Sequence, residues 1–216
     1  PYAGLALNMI LDDHPESARD AMRLQDEGAG LGRFERYMTA WLMYADGKAD
    51  SCRKQLLQLG TALNPDPAPE TAEALRMVNA RGDTLKAVAL LSEALRHHPF
   101  DTAAHGLLSD LLLTHHMLLP TAQIEAYAAR VLAPQAPMGW RRWAEVQLAT
   151  QRSRQGALSL DQYFLLAGSG ADSDAEAHYW RNQLQRVLPG GDLAQKALRG
   201  TPEASGPFVP NAQSKP

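Results

Sequence analysis

A proline returns at a nearly fixed interval at the close of helix-like runs, and this restricts the chain to a narrow set of folds. Leu63-Asn64-Pro65, His97-His98-Pro99 and Leu132-Ala133-Pro134 place the prolines 34 and 35 residues apart, and a further step of 34 lands on Gly168, another helix terminator. Gly47 and Gly82 are also 35 apart. Proline lacks the backbone N–H that a helix interior requires, so each return marks a stop. A period of this length signals stacked helical hairpins, each too small to bury its apolar face alone.

Between the stops the pattern is helical. Alternating β-branched runs are absent, while Ala, Leu, Arg, Gln and Glu are abundant. In the clearest unit, Ala72, Leu75 and Val78 form one stripe, Arg81-Gly82-Asp83 reads as a turn, and Ala87, Leu91, Ala94 and Leu95 form a second stripe before Pro99. Asp101 can cap the next helix, Thr102 to Thr114, which carries Leu107, Leu108, Leu111 and Leu112. Pro120 then opens a helix with Ala122, Ala126 and Ala129 in line, ending at Pro134. A third unit begins with Trp140, Trp143, Ala144 and Gln147, is expected to break at Gly156, and resumes from Leu160 to Leu166. Upstream, Phe34–Tyr44 and Asp50–Leu63 make an earlier hairpin around Gly47. A helix runs from Pro15 to about Glu27, Gly28 to Gly32 is a joint, and residues 2–11 form the tail of another helix. Ser173-Asp174-Ala175-Glu176 reads as a capping box that opens a helix to about Leu188, with a shorter one from Asp192 to Leu198. The Pro-, Gly- and Ser-rich residues 200–216 are expected to be disordered. The organisation expected is therefore an N-terminal helical segment (1–32), a helical-repeat domain (33–199) and a tail (200–216).

These residues resemble the tetratricopeptide repeat family. Gly82, Ala87, Leu91, Ala94 and Pro99 fit that family's 34-residue pattern in order, as do Ala122, Ala126, Ala129 and Pro134, except that Ala126 stands where a larger residue is usual. Leu63-Asn64-Pro65-Asp66 is similar to a common repeat ending, and Trp140 and Ala144 suit a first helix. The fit spans roughly residues 34–188 and is poorer at both ends. The resemblance implies an all-α, right-handed α-solenoid of antiparallel hairpins whose first helices line a concave surface. On those helices the positions off the packing stripe are Met38 and Leu42, Arg76 and Asn79, Leu111 and His115, and Arg141 and Glu145. Apolar groups beside Arg and Asn suit an extended peptide, with Arg141 directed at a partner's carboxylate or aromatic group. The family's clamp for C-terminal carboxylates needs a particular Lys and Asn set that Arg76 and Asn79 only echo, so that function is not carried over.

Composition narrows the function. A net charge of −3 and a pI near 6.2 argue against general nucleic-acid binding, which needs a basic face. The longest apolar stretch, Leu107 to Leu119, is interrupted by Ser109, Asp110 and His115-His116, so no membrane span is expected. Cys52, the only cysteine, sits among Gln55, Leu56 and Leu57 and reads as a small apolar helix residue. His97-His98 and His115-His116 fall at helix ends, with His105 between; adjacent helical residues point about 100° apart, a poor chelate, so no metal or other cofactor is expected. Gly28-Ala29-Gly30-Leu31-Gly32 follows a helix rather than a strand and reads as a hinge, not a nucleotide loop. No nucleophile elbow, phosphate-cradling loop or zinc-protease motif occurs.

The expectation is a non-enzymatic scaffold or assembly factor, cytoplasmic or periplasmic, that holds a peptide segment or partner subunit. Two alternatives stand beside it. One is the recognition arm of a larger enzyme such as a glycosyl- or sulfotransferase, motivated by a chain that opens at Pro1 and reads as a processed form or a piece of something longer. The other is a bacterial envelope protein for secretion or polysaccharide assembly.

Overall fold

The computed structural model describes residues 2–80 and 82–187. Their regular structure is entirely helical: α1 (Tyr2–Leu11), α2 (Pro15–Ala29), α3 (Arg33–Ala45), α4 (Ala49–Gln58), α5 (Pro69–Asn79), α6 (Thr84–His97), α7 (Thr102–Thr114), α8 (Leu119–Leu132), α9 (Pro137–Ala149), α10 (Ser153–Ala167), a 3₁₀ turn at Gly168–Ala171, and α11 (Ala175–Val187). The expected helix from Asp192 to Leu198, the residue Leu188 and the tail 200–216 lie outside the described residues. Among the described residues no helix is long and apolar enough to cross a membrane.

Consecutive helices pair as hairpins: α1 with α2, α3 with α4, α5 with α6, α7 with α8, and α9 with α10. From α5 onward each hairpin also packs on the next, through α6 on α7 and α8 on α9, and the first helices touch one another, α5 on α7 and α7 on α9. Local chemistry sets the boundaries. Asp83 accepts the N–H of Lys86 at the start of α6, and Asp101 accepts the N–H groups of Ala103 and Ala104 at the start of α7. The other Asp101 oxygen accepts the Thr71 hydroxyl at 2.9 Å, so one carboxylate caps α7 and ties it to α5.

The proline stops repeat an interaction as well as a spacing. The Pro99 carbonyl accepts the His105 Nε2–H at 2.8 Å, and the Pro134 carbonyl accepts the Trp140 Nε1–H at 2.9 Å. In both cases a ring six residues downstream, on the following first helix, satisfies the carbonyl of the proline that lies just past the preceding helix.

Four expectations are corrected. Gly156 does not break the third unit; it lies inside α10, where an added Cβ would come 2.7 Å from Leu148 of α9, so the glycine serves the close crossing of the two helices. On α5 the buried positions are Thr71 and Ala74, whereas Leu75 is 48% exposed, one position off the expected stripe. The α11 cap is Asp174, which accepts the Ala177 N–H, and Glu176 turns away to another partner. Finally, the α3–α4 hairpin, expected to be the first unit of the array, packs through α3 on α8 and α2 rather than on the α5–α6 hairpin that follows it. Both α1 and α3 fold back onto α8, which packs on α7 and α9 as well, and its residues Ala122 to Ala129 are all buried. Tyr37, Met38, Trp41 and Leu42 of α3 join Ile10 and Leu11 of α1 and Ile124 and Tyr127 of α8 in one core. The junction also has a polar seam: Arg130 pairs with Asp13, Arg152 with Asp12, and the Gln147 amide donates to the Leu11 carbonyl.

Candidate binding groove

The arrangement of α7, α9 and α11 leaves a groove of about 640 Å³ along their shared face. Helical spacing aligns its lining: Asp110 and Leu113 from α7, Arg141, Glu145 and Leu148 from α9, and Glu176, Tyr179 and Trp180 from α11. Its volume falls within the range of ordinary ligand sites.

Arg141 is the hub. Its Nε–H donates to Asp174 at 2.6 Å, one terminal nitrogen donates to Glu176 at 2.9 Å, and the other donates to Glu145 one turn along α9. The guanidinium lies 5.8 Å from the Trp180 ring centre. Asp174 also accepts the Tyr163 hydroxyl at 2.9 Å. Beside this cluster the Arg142 Nε–H is shared by both oxygens of Asp110, at 2.9 and 3.0 Å.

Four carboxylates thus face two guanidinium groups, and their acidities diverge. Burial pushes the Glu145 carboxyl up to about 7; Arg141 opposes the rise, while the charges of Asp110 and Glu176 add to it. Burial works in the same direction on Asp174, but the Arg141 hydrogen bond, the Ala177 N–H and the Tyr163 hydroxyl outweigh it and hold that carboxyl at about 2. Burial raises Asp110 despite the Arg142 partner. Arg141 itself, penalised by burial, is held more firmly protonated by Asp174 and Glu145.

The eight positions expected to face a partner separate into three sets. Arg141 and Glu145 come together in the groove. Leu111, which is buried, and His115 line a smaller pocket of about 320 Å³ between α5, α6 and α7, with His115 Nε2 3.4 Å from the Thr84 hydroxyl. Arg76 and Asn79 lie exposed on α5, away from that groove, and Arg76 pairs with Glu73. Met38 and Leu42 are corrections: both are 0% exposed, because the fold-back of α3 onto α8 turns that face of the helix into core. Arg141 is also corrected, since its N–H groups already serve three carboxylates of this chain and are not held ready for a partner's.

Sequence reasoning missed Asp110, Asp174, Glu176, Tyr179 and Trp180. Spacing gives only a partial signal: Arg141 and Glu176 are 35 residues apart, close to the repeat step, whereas Asp110 and Arg142 are 32 apart and sit at different places on their helices, so that pair is made by packing rather than by the repeat. Reading residues 173–176 only as a helix start concealed it.

A third pocket, of about 430 Å³, lies between α3, α6, α7 and α8, bordered by Phe34, Tyr37, Leu95 and Glu125. Behind it Glu125 accepts the Tyr37 hydroxyl at 3.2 Å and meets His105 Nδ1 at 2.5 Å, with His105 and Glu125 both buried. The Trp41 ring stands edge-on to His105 at 4.9 Å. Burial, then the Glu125 charge, raise the Tyr37 hydroxyl well above its usual range. Burial also pushes the Cys52 thiol up to about 12, with Arg53 opposing weakly, so at neutral pH it is a protonated core residue. Among the described residues no group of three or more His, Cys, Asp or Glu side chains converges as a metal site. Comparison with protein-family models, with curated proteins and with solved structures finds no match to this chain.

Proposed function

We propose that the chain is a binding module of the tetratricopeptide type: a right-handed α-solenoid from α5 to α11, with α1–α4 bracing its outer side, that acts as a scaffold or assembly factor by holding a peptide segment of a partner protein. The observation that carries this reading is the 640 Å³ groove lined by three successive first helices. The hairpin-on-hairpin packing from α5 to α10 supports it, as does the repeated ring-to-proline-carbonyl bond at Pro99 and Pro134. Tyr179, 59% exposed in the groove wall, supplies the kind of amphipathic aromatic surface that recognition sites favour.

The test is site-specific photocrosslinking in extracts of the native source. A photoreactive residue at Gln183, in the groove, is expected to capture a discrete partner, and the same group at Leu158, exposed on α10, is not. Identical adducts from both positions, or none from Gln183, would refute a groove-based binding role.

A further inference from the structure

We infer that the occupant of this groove is a basic peptide segment, with lysine or arginine side chains set between apolar ones. This rests on the binding-module reading and specifies its partner. The lining excludes an acidic occupant first. Every nitrogen of the Arg141 guanidinium already donates to Asp174, Glu145 or Glu176, and Arg142 is held by Asp110, so an incoming carboxylate would meet carboxylates without a free cation. The lining holds three carboxylates, Asp110, Glu145 and Glu176, against one guanidinium, Arg141, and the flanking Asp174 and Arg142 offset each other, so the groove carries two negative charges in excess when all are ionised.

A lysine or arginine meets the opposite situation. Glu176 is largely exposed and Glu145 sits one layer beneath, so a cation entering between α9 and α11 gains two carboxylates that now share one partner. Burial beside Asp110 and Glu176 makes ionised Glu145 unfavourable, and a second cation relieves that situation. Tyr179 and Trp180 offer ring faces to a guanidinium or ammonium, a contact Trp180 already makes with Arg141. Leu113, Leu148 and Leu184 cover the stems of such side chains and the apolar residues between them.

The experiment uses the full chain and three fluorescein-labelled peptides of about twelve residues that differ only in bearing Lys, Gln or Glu at every third position, with Leu and Ser between. Fluorescence anisotropy is expected to rank them Lys, then Gln, then Glu, with the Lys peptide at least about tenfold tighter than the Gln peptide. Glu145→Gln and Glu176→Gln are each expected to weaken the Lys peptide about fivefold. Glu73→Gln, on α5 outside the groove, is the control and is expected to leave binding unchanged; circular dichroism checks that each variant is folded. Equal weakening by Glu73→Gln would mean diffuse attraction to an acidic protein and would overturn the inference. So would absence of Lys-peptide binding, or a Gln or Glu peptide bound as tightly. If such a peptide bound and Tyr179→Ala abolished it, the basic-partner inference would fall while the groove-binding reading stood.

Discussion

Replacing Glu145 by glutamine isolates the electrostatic tension at the centre of the groove. The side chain is only 14% exposed, and its carboxyl is raised from the ordinary 4.5 to about 7, chiefly by burial. The sign follows from linkage. Between these two values the unfolded chain has released this proton and the folded chain still holds it. The stability it contributes is therefore complete below about 4.5 and is lost as pH rises through about 7. Each pH unit across that interval is worth about 1.4 kcal/mol, so the full loss amounts to about 3 kcal/mol. Glutamine keeps the shape and does not titrate. The neighbouring charges, Asp110, Arg142, Asp174, Glu176 and Arg141, remain in both proteins and largely cancel in the difference. Urea unfolding of both proteins from about pH 4.5 to about pH 8 is the assay. The variant's stability relative to the parent is expected to rise by about 3 kcal/mol across that range and then to level off. Any constant offset reports the exchange of one hydrogen-bonding group for another at Arg141; the slope reports the buried carboxylate. A difference that stays flat, or that falls with pH, would refute the reasoning.

Other expected outcomes follow from the same geometry. Arg141→Ala leaves Asp174, Glu145 and Glu176 without their shared cation and is expected to cost about 2 kcal/mol, so a parental melting temperature would show that the hub is not structural. His105→Leu strips the buried Glu125 of its close partner and leaves the Pro99 carbonyl open; a loss of about 3 kcal/mol or more is expected in urea, and a loss within experimental error would contradict the buried pair. Ala94→Trp overpacks a fully buried helix crossing and is expected to destabilise by about 1–3 kcal/mol or more; an unchanged melting temperature would mean the repeat register is wrong.

Much of the hairpin architecture was legible in the sequence, and for local reasons. Asp83 and Asp101 cap the helices they precede, and Ala87, Leu91, Ala94 and Leu95 are buried together as their spacing requires. Both signals act within one or two turns of chain. The misreadings share a cause. Gly156 read as a break because an isolated glycine weakens a helix, but its lack of a side chain is set by Leu148 across the crossing. Met38 and Leu42 read as surface because no short-range pattern announces that α3 folds back onto α8.

The groove divides along the same line. Periodicity alone placed Arg141 and Glu145 on one face of α9, since residues four apart in a helix are neighbours whatever surrounds them. Their surroundings were decided by the packing of α7 and α11 around α9, which brings Asp110 from 32 residues before Arg142 and Asp174 from 33 residues after Arg141 into one site. Capped helix starts such as those at Asp83 and Asp101 are set by contacts within a few residues, so the sequence determines them by itself. The sign of the groove's charge, the raised carboxyl of Glu145 and the burial of α8 on all sides depend on which distant helices meet, and only the tertiary structure decides that.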